Sequence, residues 1–304
     1  MQSNRHTLRA VLLTLVLAAS AAPPVHAGEP ATLTHVHGLS YSPDGQRLMI
    51  PSHFGLAVFE NGRWSKAPGP AHDYMGFSAT RDALYSSGHP APGSGLTNPF
   101  GLIKSRNGGS TWQKLGLEGE SDFHTLATGY DTNVVYVVNQ APNSRMEGSG
   151  IFHTSNDGLT WTYAAAEGLN RAPASLAVHP ADAATVAAGT DDGLYLSRDW
   201  GASFERMAGG MRVLAVAFDM DRQHLWFSTY AGKTAGLARI ALIKGAKADV
   251  LPIPPLTEDA VTYIAQNPVR RSEIAIATFQ RSVFLSNDQG RTWTELAQKG
   301  VTHE

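Results

Sequence analysis

The sequence predicts an all-β fold, a six-bladed β-propeller, with seven blades as the alternative. Three observations predict it. A short hairpin motif recurs four times; its copies are spaced by about 45 residues or twice that; and a short strand of small and apolar residues opens each interval.

The motif copies are Ser105-Arg-Asn107-Gly-Gly109-Ser-Thr111-Trp112, Thr154-Ser-Asn156-Asp-Gly158-Leu-Thr160-Trp161, Ser197-Arg-Asp199-Trp-Gly201-Ala-Ser203-Phe204 and Ser286-Asn-Asp288-Gln-Gly290-Arg-Thr292-Trp293. In each, an Asp or Asn side chain can bond the backbone amides of its own turn, and the Gly takes a positive φ. The closing aromatic is expected between neighbouring sheets. Trp112 to Trp161 spans 49 residues, Trp161 to Phe204 spans 43, and Phe204 to Trp293 spans 89, which fits two blades. A degenerate turn at Asn61-Gly62-Arg63-Trp64 lies 48 residues before Trp112, and the missing fifth turn falls near Lys244 to Lys247. Innermost strands are expected at His37, Met75, His124, Ala174, Arg212 and Thr262, each the first position of a small, apolar run. No helix longer than a turn and no second domain are expected.

The motif fits the pattern S/T-x-D/N-x-G-x-T/S-W/F and resembles the Asp-box, or bacterial neuraminidase repeat, of sialidase-like propellers. The resemblance extends over nearly all of residues 28–304. It implies the propeller fold. For sialidase activity it would also imply an arginine triad, a Tyr nucleophile with a Glu partner, and an acidic Asp. The stretch where the first arginine belongs reads Thr34-His-Val-His-Gly, without arginine, so the resemblance is to the fold and its turns. The His-x-His-Gly-Leu opening is similar to that of exported propellers labelled loosely as glycosyl hydrolases.

Residues 1–27 read as a signal peptide: Arg5 and Arg9, an apolar run from Ala10 to Ala22, then Val25-His26-Ala27 as a cleavage pattern. The run is too short to span a bilayer. A periplasmic or secreted protein is expected, with one domain over 28–304. The chain has no cysteine, which excludes disulfides, thiolate metal sites and cysteine nucleophiles. Lys+Arg 24 against Asp+Glu 26 leaves a net charge of -2 with no basic stripe, which speaks against nucleic acid or an anionic membrane as partner.

Histidine placement carries the functional reading. On a propeller, inner strands start and second strands end on the same face. His35, His37, His72, Met75 and His124 precede or open inner strands, and His53 and His89 end second strands, so all seven map to one channel mouth. Imidazole and thioether are ligands for copper first, with zinc as second choice. Asp73 and Asp122 are placed to orient imidazoles or to ligate directly. Taken singly, any of these histidines reads as well as a structural residue bonded to a neighbouring blade. The leading expectation is a non-catalytic metal-binding propeller for tolerance, storage or delivery. A protein-binding scaffold resembling the photosystem II stability factor is one alternative. The other is a glycan-binding protein or glycosidase, for which Asp73, Asp122 and Glu258 lie near inner-strand starts.

Overall fold

The computed structural model describes residues 32–303; the expected signal peptide lies outside them. Among the described residues there is no helix, and the strands form six antiparallel sheets. Each is a meander that starts at the channel, and the innermost strands are Ser40–Tyr41, Asp73–Ala79, Leu126–Thr128, Ser175–Val178, Arg212–Phe218 and Val261–Gln266. Five sheets have four strands and the sixth gains a fifth, Val301–Thr302. The fold is therefore the six-bladed propeller, and the seven-bladed alternative falls.

Strand alternation explains why the blades stack. In Leu48–Ser52, Leu48 and Ile50 enter the core against the sixth blade while Met49 enters the core against the second. In the third blade Val135 and Val137 face the second blade, and Val134 and Tyr136 face the fourth. Ile274 and Ile276 face the fifth blade, and Ala275 and Ala277 the first. Both faces of each sheet are apolar because both are covered. The result is six separate cores, one per interface between blades.

The four motif copies adopt one turn. The first hydroxyl accepts from the glycine N–H, as in Gly109 N to Ser105 Oγ at 2.9 Å and Gly290 N to Ser286 Oγ at 2.8 Å. The Asn or Asp oxygen accepts the N–H of the closing Thr or Ser, at 2.8–3.0 Å in the four copies. Trp112, Trp161, Phe204 and Trp293 each pack against the core shared with the preceding blade. Trp64 does the same from the degenerate first turn, donating from Nε1 to Leu296 O at 3.0 Å across to the sixth blade. The interface between the fourth and fifth blades has no such ring; Met207, Leu242 and Ala246 pack there instead, at the turn the repeat lacks.

The ring is closed without covalent help. Leu33, fully buried, lies in the core between the sixth and first blades. Its N–H donates to Gly300 O at 3.0 Å, and Thr32 bridges Val301. The segment that leads into the first blade thus hangs on the last strand of the sixth.

Candidate functional site

The segment Thr34-His35-Val36-His37-Gly38 crosses the mouth of the channel. It is held by Arg281 Nη1 donating to Thr34 O at 3.0 Å and by His37 N–H donating to Pro51 O at 3.2 Å. Gly38 lets the second blade come close, since a Cβ there would sit 2.8 Å from Phe77 Cβ. His53 occupies the tight turn after Leu48–Ser52, beside the same segment.

Three imidazoles therefore stack. Ring centroids are 4.1 Å apart for His35 and His53, 5.0 Å for His37 and His53, and 5.5 Å for His35 and His37. One nitrogen from each lies within 4.8 Å of the other two. A tetrahedral ion bound at roughly 2.0–2.1 Å would draw such nitrogens to about 3.3 Å, so small ring movements suffice. His37 is the most enclosed of the three: its Nε2 is buried with no hydrogen-bond partner among the described residues. It stands 3.6 Å from Asp73 Oδ1, itself buried and unpartnered, and His53 Nε2 stands 3.9 Å from Asp73 Oδ2. These separations are too long for hydrogen bonds. Burial pushes the His37 imidazole down to about 4; Asp73 opposes this, and His53, His35 and His124 reinforce it. At neutral pH the His37 imidazole is uncharged.

A second group lies one blade on. Asp73 and His89 are directly opposite in the strand pair Asp73–Ala79 and Leu84–His89. Asp122 and His124 flank Phe123, whose ring is buried between the second and third blades and whose N–H donates to Ser87 Oγ at 3.0 Å. Phe123 turns into the core, and Asp122 and His124 on either side of it reach toward solvent. His89 Nε2 and His124 Nε2 stand 3.0 and 3.1 Å from the same oxygen, Asp122 Oδ2. The hydrogen bond to Asp122 raises the His124 pKa against the effect of burial. Burial works to raise that of Asp122, and the bonds from His124 and His89 outweigh it and hold the carboxyl below its usual range. Gly76 shapes this junction, because its φ is +48° and a Cβ there would run into Phe123 O.

Two of the seven expected residues stand apart. His72 is 6% exposed, packs against Tyr74 and Phe100, and accepts the Ala91 N–H on Nδ1 at 2.9 Å. It is tied to its own blade. Met75 pairs in register with Ser87 and is not among the residues lining the channel, where Gly76 and Phe77 take the second blade's place. Arg212 is likewise displaced by Leu214. Both inner strands carry a register shift at this end, between Met75 and Ser78 and between Val213 and Val216. Asn98 was not singled out in the sequence; its Oδ1 lies 2.7 Å from His89 Nδ1, contributed by a long loop that no local pattern ties to the site.

Beneath the mouth the channel holds a cavity of about 410 Å³, with His37 and His124 on its wall. Its far end is crossed by bonds that skip a blade. Tyr130 OH donates to Pro43 O at 3.1 Å, and Arg222 Nη2 to Asp131 Oδ2 at 2.9 Å.

No protein-family profile matches the chain, and no curated protein does. Solved structures do. A GH74 enzyme of Niastella koreensis aligns over 88% of this chain and 46% of its own, at 15% identity and TM-score 0.61. Kuenenia stuttgartiensis hydrazine synthase aligns over 88% and 80%, at 13% identity and TM-score 0.55. YCF48 bound to D1 peptide aligns over 90% and 85%, at 15% identity and TM-score 0.51. The chain spans less than half the length of the GH74 structure. These likenesses define the class, a β-propeller, and go no further than the fold.

Proposed function

We propose that this chain is an exported, non-catalytic metal-binding propeller, copper first and zinc second, serving metal tolerance, storage or delivery. The observation that carries the reading is the stack of His35, His37 and His53, with His37 Nε2 buried and unpartnered. An aromatic stack of three imidazoles leaves a ring nitrogen without a proton donor or acceptor, and a soft or borderline cation supplies what is missing. Support for export is the N-terminal sequence alone; the Asp-box character rests on the four motif turns.

The test is titration of Cu(I), Cu(II) and, as control, calcium into wild type and a His37→Ala, His124→Ala double variant. We expect the variant to keep the fold and lose most copper binding. Equal binding by the two proteins would make the histidines structural. The scaffold reading would then lead, favoured by the likeness to YCF48, whose structure was determined bound to D1 peptide. The glycosidase reading has less to stand on: Asp73 and Asp122 both face imidazoles, and Glu258 is an exposed partner of Lys233 at 3.8 Å.

A further inference from the structure

The two histidine groups differ in chemistry as well as in place. In the first, three imidazoles surround the gap, and Asp73 comes no nearer than 3.6 Å to any of their nitrogens. In the second, two imidazoles and one carboxylate share a point: His89, Asp122 and His124 each offer an atom within 4.8 Å of the others. Asn98 decides how His89 faces that point. The amide oxygen only accepts, so His89 Nδ1 carries the hydrogen that spans the 2.7 Å between them. His89 Nε2 faces Asp122 Oδ2, and His124 Nε2 approaches the same oxygen from the third blade. In the metal-free protein protons bridge these atoms, and a divalent ion at the same point would displace them and take both Nε2 atoms and Oδ2 as ligands. The arrangement has the parts of a bound-metal site, including an outer partner that fixes the tautomer of one ligand. Asp122 Oδ1, buried and unpartnered, adds a free acceptor beside it.

We infer that the mouth holds two ions side by side: one in the three-imidazole group of His35, His37 and His53, and a second, harder divalent ion in the group of His89, His124 and Asp122. The inference rests on the metal-binding reading above and extends it. Three imidazoles accommodate Cu(I); two imidazoles with a carboxylate favour a divalent ion such as zinc over Cu(I). Asp73 lies between the positions. It faces His37 and His53 with its oxygens, and its strand position is directly opposite His89. Its negative charge offsets the repulsion of two neighbouring cations. The pair sits on the boundary between the first three blades, where the cavity below opens onto His37 and His124 together.

The experiment uses the whole chain, loaded without oxygen with Cu(I) alone, with Zn(II) alone, and with both, followed by metal analysis after removal of free ions. Wild type is expected to retain one copper and one zinc per chain when given both. A His35→Ala, His53→Ala variant should lose the copper and keep the zinc, and a His89→Ala, His124→Ala variant should do the reverse. Should either pair fail to fold, the single changes His53→Gln and His89→Gln keep a polar group of similar reach and should weaken copper and zinc respectively by at least tenfold. One ion in total, lost from both variants alike, would overturn the two-ion inference while leaving the copper reading in place. No retention of either ion by wild type would end both.

Discussion

His72 and His37 are both enclosed histidines two loops apart, yet they do different work. His72 spends its Nδ1 on the Ala91 N–H, while His37 Nε2 meets only the Asp73 carboxylate at 3.6 Å. Burial lowers the pKa of His72, so the folded protein holds it neutral where the unfolded chain, titrating near 6.5, takes up a proton. Protons therefore favour the unfolded state, and stability is lost as the pH falls below about 6.5. His37 and His153 act in the same sense, and His124, raised by Asp122, acts in the opposite one. His72→Asn keeps an acceptor for the Ala91 N–H and removes the titration. Urea unfolding of the metal-free variant between pH 7 and 5 should give a shallower loss than wild type, with copper binding at pH 7 unchanged. An unchanged pH slope would mean that His72 titrates normally in the fold. Gly76 has a comparable singular role. Gly76→Ala would place a side chain at a positive φ and against Phe123 O, so a loss above about 1 kcal/mol is expected by the same unfolding measurement.

At the scale of strands and turns, the repeat was legible because its chemistry is local. A hydroxyl, an Asp or Asn, a glycine and an aromatic within eight residues suffice to make the turn, so Trp112, Trp161, Phe204 and Trp293 could be placed without tertiary knowledge. For the site, the histidines were placed by where inner strands start and second strands end, and the structure gathers His35, His37 and His53 in one group and His89 and His124 in another. What stayed hidden were the register shifts near Met75 and Arg212, which no side-chain pattern announces, and the division of the histidines into two groups. That division depends on Asp73 and Asp122 arriving from different blades. The closing aromatics set a quantitative expectation. Trp161 packs beside Phe123 with ring centroids 5.8 Å apart and joins the core of the second and third blades. Because its ring is part exposed, Trp161→Ala should cost about 3 kcal/mol, the lower end for a large aromatic. Denaturant unfolding measures it, and a change of only a few tenths of a kcal/mol would make the ring surface decoration.

A propeller is a ring, and a ring without disulfides is only as firm as its closing seam. Here the seam is the Leu33 side chain, its N–H bond to Gly300 O and the Thr32–Val301 bridge, backed by Trp64 Nε1 on Leu296 O. The same segment continues two residues later into His35 and then His37, so the closure of the whole molecule and the geometry of the first histidine group are one feature. The second group hangs on Phe123, Ser87 and the second and third blades, away from the seam. Leu33→Ala separates the two. Emptying a fully buried leucine site should cost about 2–5 kcal/mol, read as a lower urea midpoint. Under native conditions the variant remains folded, but Thr34 to Gly38 loses its inner anchor and keeps only the Arg281 and Pro51 bonds. Copper affinity should fall with it, since His35 and His37 no longer meet His53 in one fixed stack. Zinc binding at His89, Asp122 and His124 should hold. Parallel loss of both metals would mean that the mouth responds to the ring as a unit, and equal retention of both would mean that the seam does not position the first histidine group at all.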